Sequence, residues 1–313
     1  VACRTAAIAV AGLVTPGGVV IDGYVTTTLP NAIDATQTAI EVADASVFKK
    51  CHAAGAAGSF IIDGESFFIL NFNGNTINVA RPGAGSSTGP LPHAAGSTVR
   101  LAGNQLLVNG SNTTYRDIEV MNSEPLRNWQ TDGAEGLRGN GIFNTGSGNK
   151  FINIIAHDNL SGLFSGSSSS NTEFYGCISY NNGMYDGTRG KGHGGYFENA
   201  SGYSRLYENI FLNNFNNGFQ LYGRSATYVG GDLKGNIASN SGSPLNLSTL
   251  NRNLIVGTET QLIPSVTVDS NYFFHPHEMN GQNVAFGYGA GVADGSFINN
   301  YLIGGRGTSV DVS

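Results

Sequence analysis

The densest run of reactive side chains in this 313-residue sequence is Tyr185-Asp186-Gly187-Thr188-Arg189-Gly190-Lys191-Gly192-His193. A phenol, two cations and an imidazole within nine residues suit eliminative cleavage of an acidic polymer. In that chemistry Arg189 or Lys191 would hold a uronate carboxylate. His193, Tyr185 or a lysine of lowered pKa would remove the C5 proton. Asp158, next to His157, ends a similar phrase one repeat earlier and is expected nearby. The plainer description of the same residues is a glycine-rich solvated loop whose His and Tyr pack against the body of the protein.

Other candidate groups carry less. His275-Pro276-His277-Glu278 has metal-ligating atoms, but its proline forces a bend at a strand end, so a surface corner describes it better. Asp269 and Glu278 offer at most weak calcium ligation, and no other cofactor is expected. The three cysteines lack zinc-like spacing. Cys3 and Cys51 would pair in an oxidising compartment, whereas Cys177 reads as an inward free thiol acting as a small hydrophobe. Sequons at Asn109, Asn112, Asn159, Asn199 and Asn246 could be glycosylated in a secreting host, although such motifs also arise by chance in an Asn- and Ser-rich chain.

The elements that must position these residues announce themselves as a phrase that keeps returning. It reads YRDIEVMN from Tyr115, FINIIAHD from Phe151, FYGCISYN from Phe174, LYENIFLN from Leu206, LKGNIASN from Leu233, VDSNYFFH from Val268 and FINNYLIG from Phe297. The intervals run from 23 to 36 residues, so each return marks one coil that buries its apolar face on its neighbours. A second strand should follow in each coil: NGIF at Asn140, SGLF at Ser161, GGYFEN at Gly194, NGFQLYG at Asn217, PLNLS at Pro244, NVAFGYG at Asn283 and SVDVS at Ser309. Apolar alternation turns Ile, Val, Phe and Leu inward. Asparagines at strand ends suit αL corners and amide stacking from coil to coil. The pattern is that of a parallel β-helix of about seven coils over 101–313. Residues 1–25 would start the helix, and 26–100 would form a small β module of hairpins.

The coil region resembles the right-handed, pectate-lyase-like parallel β-helix proteins. It is closer still to secreted bacterial β-helix proteins with a Gly-His-Gly-[IG]-Tyr-x-x-Asn phrase, matched here by Gly192 to Asn199. That resemblance covers about 101–303 and implies the fold, not a settled activity. Polygalacturonase-type β-helices offer a second comparison, through Gln130-Thr131-Asp132-Gly133, His157-Asp158, Gly192-His193-Gly194 and Arg224. Here the first Asn is Gln, the Asp pair is reduced to one, and the Arg-x-Lys is missing; only Asp132 and Asp158 would remain as a carboxyl pair. The 26–100 segment resembles a short β module of phage tail and other particle-surface proteins, through Asp63-Gly64-Glu65, Arg81-Pro82-Gly83, and His93-Ala94-Ala95-Gly96 with Val99. Such modules imply packing or docking, not catalysis.

Composition sets outer bounds. Only 12% of residues are charged, 45 are glycine, and 40% are hydrophobic, which suits a packed, Gly-rich β fold. A formal charge of −6 without a basic stripe argues against nucleic acid as a partner. The longest apolar run, Ala6 to Val14, is far too short for a membrane span. The chain opens on Val1, which suggests processing or trimming, and secretion is inferred from the resemblance. SVDVS stands as a strand with no polar cap after it, so the last coil is expected either to continue or to stack on another copy, head to tail, as in a filament. The combined expectation is an extracellular or surface-associated β-helix with a structural, fibre-forming or carbohydrate-binding role. The alternative is an enzyme on an acidic polysaccharide, with lyase chemistry ahead of hydrolysis.

Overall fold

The computed structural model describes residues 4–5, 19–22, 24–53, 58–81, 90–125, 127, 138–185, 189–199, 201–223, 228, 230–242, 250–276, 281–305 and 310–312. Three parallel sheets of nine, seven and eight strands run side by side along a parallel β-helix. Sheet one includes Leu106–Val108, Ile142–Asn144, Leu163–Ser165, Gly195–Phe197, Phe219–Gly223, Asn251–Thr258, Gly281–Gly289 and Val310–Val312. Sheet two runs from Thr114–Arg116 to Val292–Ile298, and sheet three from Val19–Asp22 to Tyr301–Gly304.

Each coil therefore has three strands where the sequence pattern suggests two. The returning phrase is itself a pair of strands, broken by a residue with φ of 54–68°: Asp117, Asn153, Gly176, Glu208, Gly235, Ser270 or Asn299. A left-handed residue turns the chain from sheet two into sheet three without interrupting the phrase's apolar rhythm. The second strand of the fifth coil also differs. It is Asn251–Thr258, not PLNLS, which lies outside the described residues.

The register places like on like. Tyr115, Phe151 and Phe174 pair across sheet two and stack inward, with ring centroids 5.2 and 4.7 Å apart. Val120, Ala156, Ser179, Phe211, Ala238 and Phe273 line the inner side of sheet three. At the corner between sheets two and three, Asn209, Asn236, Asn271 and Asn300 form a ladder. Each Nδ2 donates to the next Oδ1 at 2.9–3.0 Å. A second ladder, Asn159–Asn182–Asn214, occupies the corner between sheets three and one. Cys177 is a buried free thiol beside the first ladder, and burial pushes it up to about 12. Cys51 is disulfide-bonded, while Cys3 lies outside the described residues.

The outer faces differ in chemistry. Sheet two carries charges that answer one another: Lys150 meets Glu173 at 3.6 Å, Lys234 meets Asp269 at 3.5 Å, and the Tyr207 hydroxyl donates to Asp232 at 2.6 Å. Sheet three carries Glu119 and His157 outward in its early strands and is apolar from Ile178–Tyr180 onward. One outward column runs through Ile155, Ile178, Ile210, Ile237, Tyr272 and Tyr301.

Between Val19–Asp22 and Leu106–Val108 the chain leaves the coils and forms a six-stranded antiparallel sheet with its own apolar cluster around Phe60, Phe67, Ile40 and Val99. One helix, Ser46–Ala53, interrupts the hairpins; the Asp44 carboxylate caps it by accepting from the Ser46 N–H at 2.8 Å. The sequence pattern does not suggest this helix, because eight residues barely show a helical period. The Asp-Gly-Glu, Arg and His motif residues converge into one network, buried at Glu65, Arg81 and His93 and exposed at Asp63. Arg81 grips Glu65 through two 2.8 Å bonds, and His93 joins Glu65 at 2.9 Å and Asp63 at 3.0 Å.

Candidate functional site

The corner between sheets three and one, at residues 157–162, supports the reactive cluster. Gly183 N–H donates to the Asn159 carbonyl, and Gly162 N–H to the His193 carbonyl, so the intervening hairpin stands on that corner. Its two short strands, Met184–Tyr185 and Gly190–Lys191, pair antiparallel; Asp186 to Thr188 lie outside the described residues. Met184 is buried with Leu160 against Ile61 and Ala102 of the antiparallel sheet. The hairpin is thus held between the two parts of the molecule. Arg100 of that sheet also meets the buried Glu124 at 2.8 Å.

The glycines of Gly192-His193-Gly194 answer to coil spacing. A Cβ on Gly192, whose φ is +82°, would lie 1.8 Å from the Leu160 oxygen, and one on Gly194 would lie 2.3 Å from the Gly218 oxygen. Between them, the half-buried His193 accepts the Asn217 N–H at Nδ1 (3.4 Å). Burial, and then the nearby Arg189 charge, lower its pKa to about 3. A base this weak is poorly matched to proton abstraction near neutral pH. The neutral ring instead leaves Nε2 as a hydrogen-bond donor beside Tyr196, whose ring centroid is 5.5 Å away.

Asp158 sits beneath the hairpin, but its carboxylate is occupied. Oδ2 meets His157 Nδ1 at 2.6 Å, while Oδ1 takes Asn181 Nδ2 at 2.9 Å and pairs with Arg127. His157 Nε2 in turn meets Glu119 at 2.8 Å, and its ring stacks on Tyr180. Asp132, the second carboxyl of the hydrolase comparison, and Arg224 lie outside the described residues.

Arg127 and Arg138 organise this corner, and the sequence pattern does not single them out. Arg127 binds the Gly183 carbonyl at 3.1 Å, lies 5.3 Å over the Phe215 ring, and receives the Tyr185 N–H at its own carbonyl. Burial and neighbouring Arg138 lower it to about 9. Arg138 is 1% exposed and donates to the carbonyls of Asn122, Glu124 and Asp158. Burial lowers it to about 10, with Glu124 opposing. The available signal was an arginine pair in a chain with only 16 basic residues.

Beside the hairpin, the outer face of sheet one carries a rank of half-buried rings, Phe143, Phe164 and Tyr196, with centroids 5.0 and 4.8 Å apart. They share one register position in successive coils. Arg189 is exposed, Tyr185 and Lys191 are half-buried, and His193, which follows the hairpin, meets the rank at Tyr196.

The remaining candidates fall elsewhere. His275 is fully buried, bonds to the Ser241 carbonyl at 2.8 Å, and is lowered by burial; His277 and Glu278 lie outside the described residues. Asp269 is engaged by Lys234, Asn299 and Ser270. Among the described residues no three His, Cys, Asp or Glu side chains gather as a metal site. Asn109 and Asn112 are exposed, as glycosylation requires. Asn159 and Asn199 are 0% and 2% exposed and bonded inside the coils, which closes both to glycosylation in the folded chain. Asn246 lies outside the described residues.

The state of His193 gives a pH prediction. Its folded pKa is below its ordinary value, so the unfolded chain binds the proton first as pH falls. The associated stability is complete above pH ~6.5 and is lost progressively toward pH ~3. The urea midpoint should therefore fall between about pH 6.5 and 5, and fall less in His193→Gln. Buried His275 contributes in the same direction, so the variant removes only part of the slope. Equal slopes would assign the effect to other groups.

No family model and no curated protein matches the sequence. Among solved structures, the chain is similar to pectate lyase Pel9A, with 16% identity over 66% of this chain and 56% of that one, TM-score 0.44. It is also similar to the gp54 tailspike of Acinetobacter baumannii bacteriophage AP22, solved with A. baumannii capsular saccharide: 10% identity, 90% and 64% coverage, TM-score 0.23. Tailspike protein gp49 from Pseudomonas phage LKA1 gives 12% identity, 89% and 64% coverage, and a TM-score of 0.25. The chain spans 56–64% of the length of these proteins.

Proposed function

We propose that this chain is a carbohydrate-binding β-helix that acts at an extracellular or particle surface without catalysing cleavage. The observation that carries the reading is the Phe143–Phe164–Tyr196 rank, joined through His193 to the hairpin that carries Tyr185, Arg189 and Lys191. Aromatic strips take up the apolar faces of sugar rings, and a few polar groups alongside fix their orientation. Successive coils repeat at about 4.8 Å, so a chain of sugars laid along the helix axis meets one ring per coil. Arg189 and Lys191 favour a glycan bearing carboxylates. The weak basicity of His193 and the saturated Asp158 carboxylate favour binding over cleavage. The disulfide at Cys51 suits an oxidising, extracellular setting.

Titration calorimetry against uronate-containing and neutral oligosaccharides tests the reading. Binding of the acidic glycans is expected, and Tyr196→Ala should weaken it about 10-fold or more, the loss of one well-placed aromatic contact. The same incubations monitored for ultraviolet absorbance of unsaturated products should stay flat. A rising signal would replace this reading with lyase chemistry. Unchanged affinity in the variant would remove the rank from the site.

A further inference from the structure

We propose that the outer face of sheet three is a self-association surface that pairs with the same face of a second copy of this chain. Five successive strands, from Ile178–Tyr180 to Tyr301–Gly304, present ten outward positions, of which nine are apolar or aromatic and one is Ser239. Five of these side chains stand well out in solvent: Ile237 at 40%, Tyr272 at 38%, Phe274 at 37%, Tyr301 at 69% and Ile303 at 45%. A scattered exposed leucine is unremarkable on a protein surface, but a contiguous apolar strip marks a contact.

The chemistry of the faces selects the occupant. No Lys, Arg, Asp or Glu faces outward on these five strands, so nothing here would recognise a charged polymer or a charged protein surface. Sheet two, by contrast, spends its outer positions on Lys150, Glu173, Asp232, Lys234 and Asp269. The strip is apolar in every strand because the strands are in register, and it calls for an apolar partner of matching length. The same face of a second copy supplies such a partner. Ten outward side chains, five of them 37–69% exposed, make a patch on the order of the ~800 Å² each partner buries in a standard interface. A two-fold axis through the central strand, Ile237–Ser239, makes the contact isologous. It sets Ile178 and Tyr180 of one copy opposite Tyr301 and Ile303 of the other. This lateral pairing differs from end-to-end stacking of coils: it closes at two copies and builds no filament.

Sedimentation velocity of the whole chain over a range of concentrations tests this first without any substitution. A two-chain species is expected, and a monomer at every concentration up to about 100 µM, well above the micromolar range of ordinary interfaces, overturns the proposal. Tyr272→Lys and Ile303→Lys should each weaken association at least 10-fold, with the circular dichroism spectrum unchanged. Ser296→Lys, outward on sheet two, should leave the mass unaffected. Should the lysine variants fail to fold, Ser239→Cys supplies the second arm. Its thiol lies at the axis, and mild oxidation should give a covalent dimer on a non-reducing gel. Association with no response to the lysine variants, or no crosslink from an associated Ser239→Cys protein, places the contact elsewhere.

Discussion

Glu65→Ala is expected to destabilise the antiparallel sheet by about 3–5 kcal/mol, the range for removing one partner of a buried ion pair. The carboxylate is 5% exposed and its partner guanidinium 4%. Arg81 sits 4.8 Å over the Phe67 ring and donates to the Leu91 and Asp34 carbonyls, so it cannot retreat to water once Glu65 is gone. His93 loses its Nε2 partner and the Leu91 N–H its acceptor. Burial alone would raise the Glu65 pKa, but the bonds from Arg81, Leu91 and His93 outweigh it and hold the carboxyl below its ordinary value. Its stabilisation is therefore complete above the unfolded pKa of ~4.3 and is lost as pH falls through the lower folded value. Hydrogen exchange of peptides covering 59–80 in the intact chain reads the effect locally, and 3–5 kcal/mol corresponds to exchange faster by about 10²- to 10⁴-fold. A change below about 1 kcal/mol would reduce the network to the worth of a surface ion pair. Replacing Glu65, Arg81 and His93 together by apolar residues of similar volume should recover much of the loss.

The second large effect belongs to the coil interior. Asn236→Ala should cost about 3–5 kcal/mol, because each buried polar group left without a partner costs ~1–3 kcal/mol. The Asn236 amide oxygen accepts both the backbone N–H and Nδ2 of Asn209, and its Nδ2 donates to the Leu206 carbonyl and to Asn271. The side chain is fully buried, so water does not replace these bonds. Asn236→Asp should be worse near neutral pH, since its carboxylate would face the Leu206 carbonyl and the Asn271 oxygen. Guanidinium unfolding followed by tyrosine fluorescence checks both. A cost under 1 kcal/mol for the alanine variant would show that the ladder is ornament and that aromatic stacking carries the stability.

The seven phrases made the coils legible because in-register pairing repeats each inward apolar position. The third strand per coil stayed hidden for a local reason. The corner residues are Asp, Asn, Gly, Glu, Gly, Ser and Asn, so no fixed letter marks the bend, and the apolar alternation reads straight across it. The fifth coil misled differently: PLNLS alternates cleanly, whereas NRNLIVGT is nearly continuous and buried along its length. At the site, the hairpin and Asp158 were visible as reactive letters. Their supports were not, because Arg127 and Arg138 lie in a segment without periodicity and act through backbone carbonyls, which leave no side-chain partner to find in the sequence. The glycines of the Gly-His-Gly phrase serve the close approach of coils.

The unbroken register has one more consequence. Because Ile178, Ile210, Ile237 and Tyr272 occupy one column whatever the length of chain between them, the molecule behaves as a ruler with two independent adjustments. Adding or removing residues at a corner, as the 23- and 36-residue spacings already do, reshapes one loop and leaves every face aligned. Adding or removing a whole coil changes the length by one step of about 4.8 Å and leaves every loop untouched. Reach and recognition can therefore be altered separately in such a chain, one by counting coils and the other by rewriting a single corner.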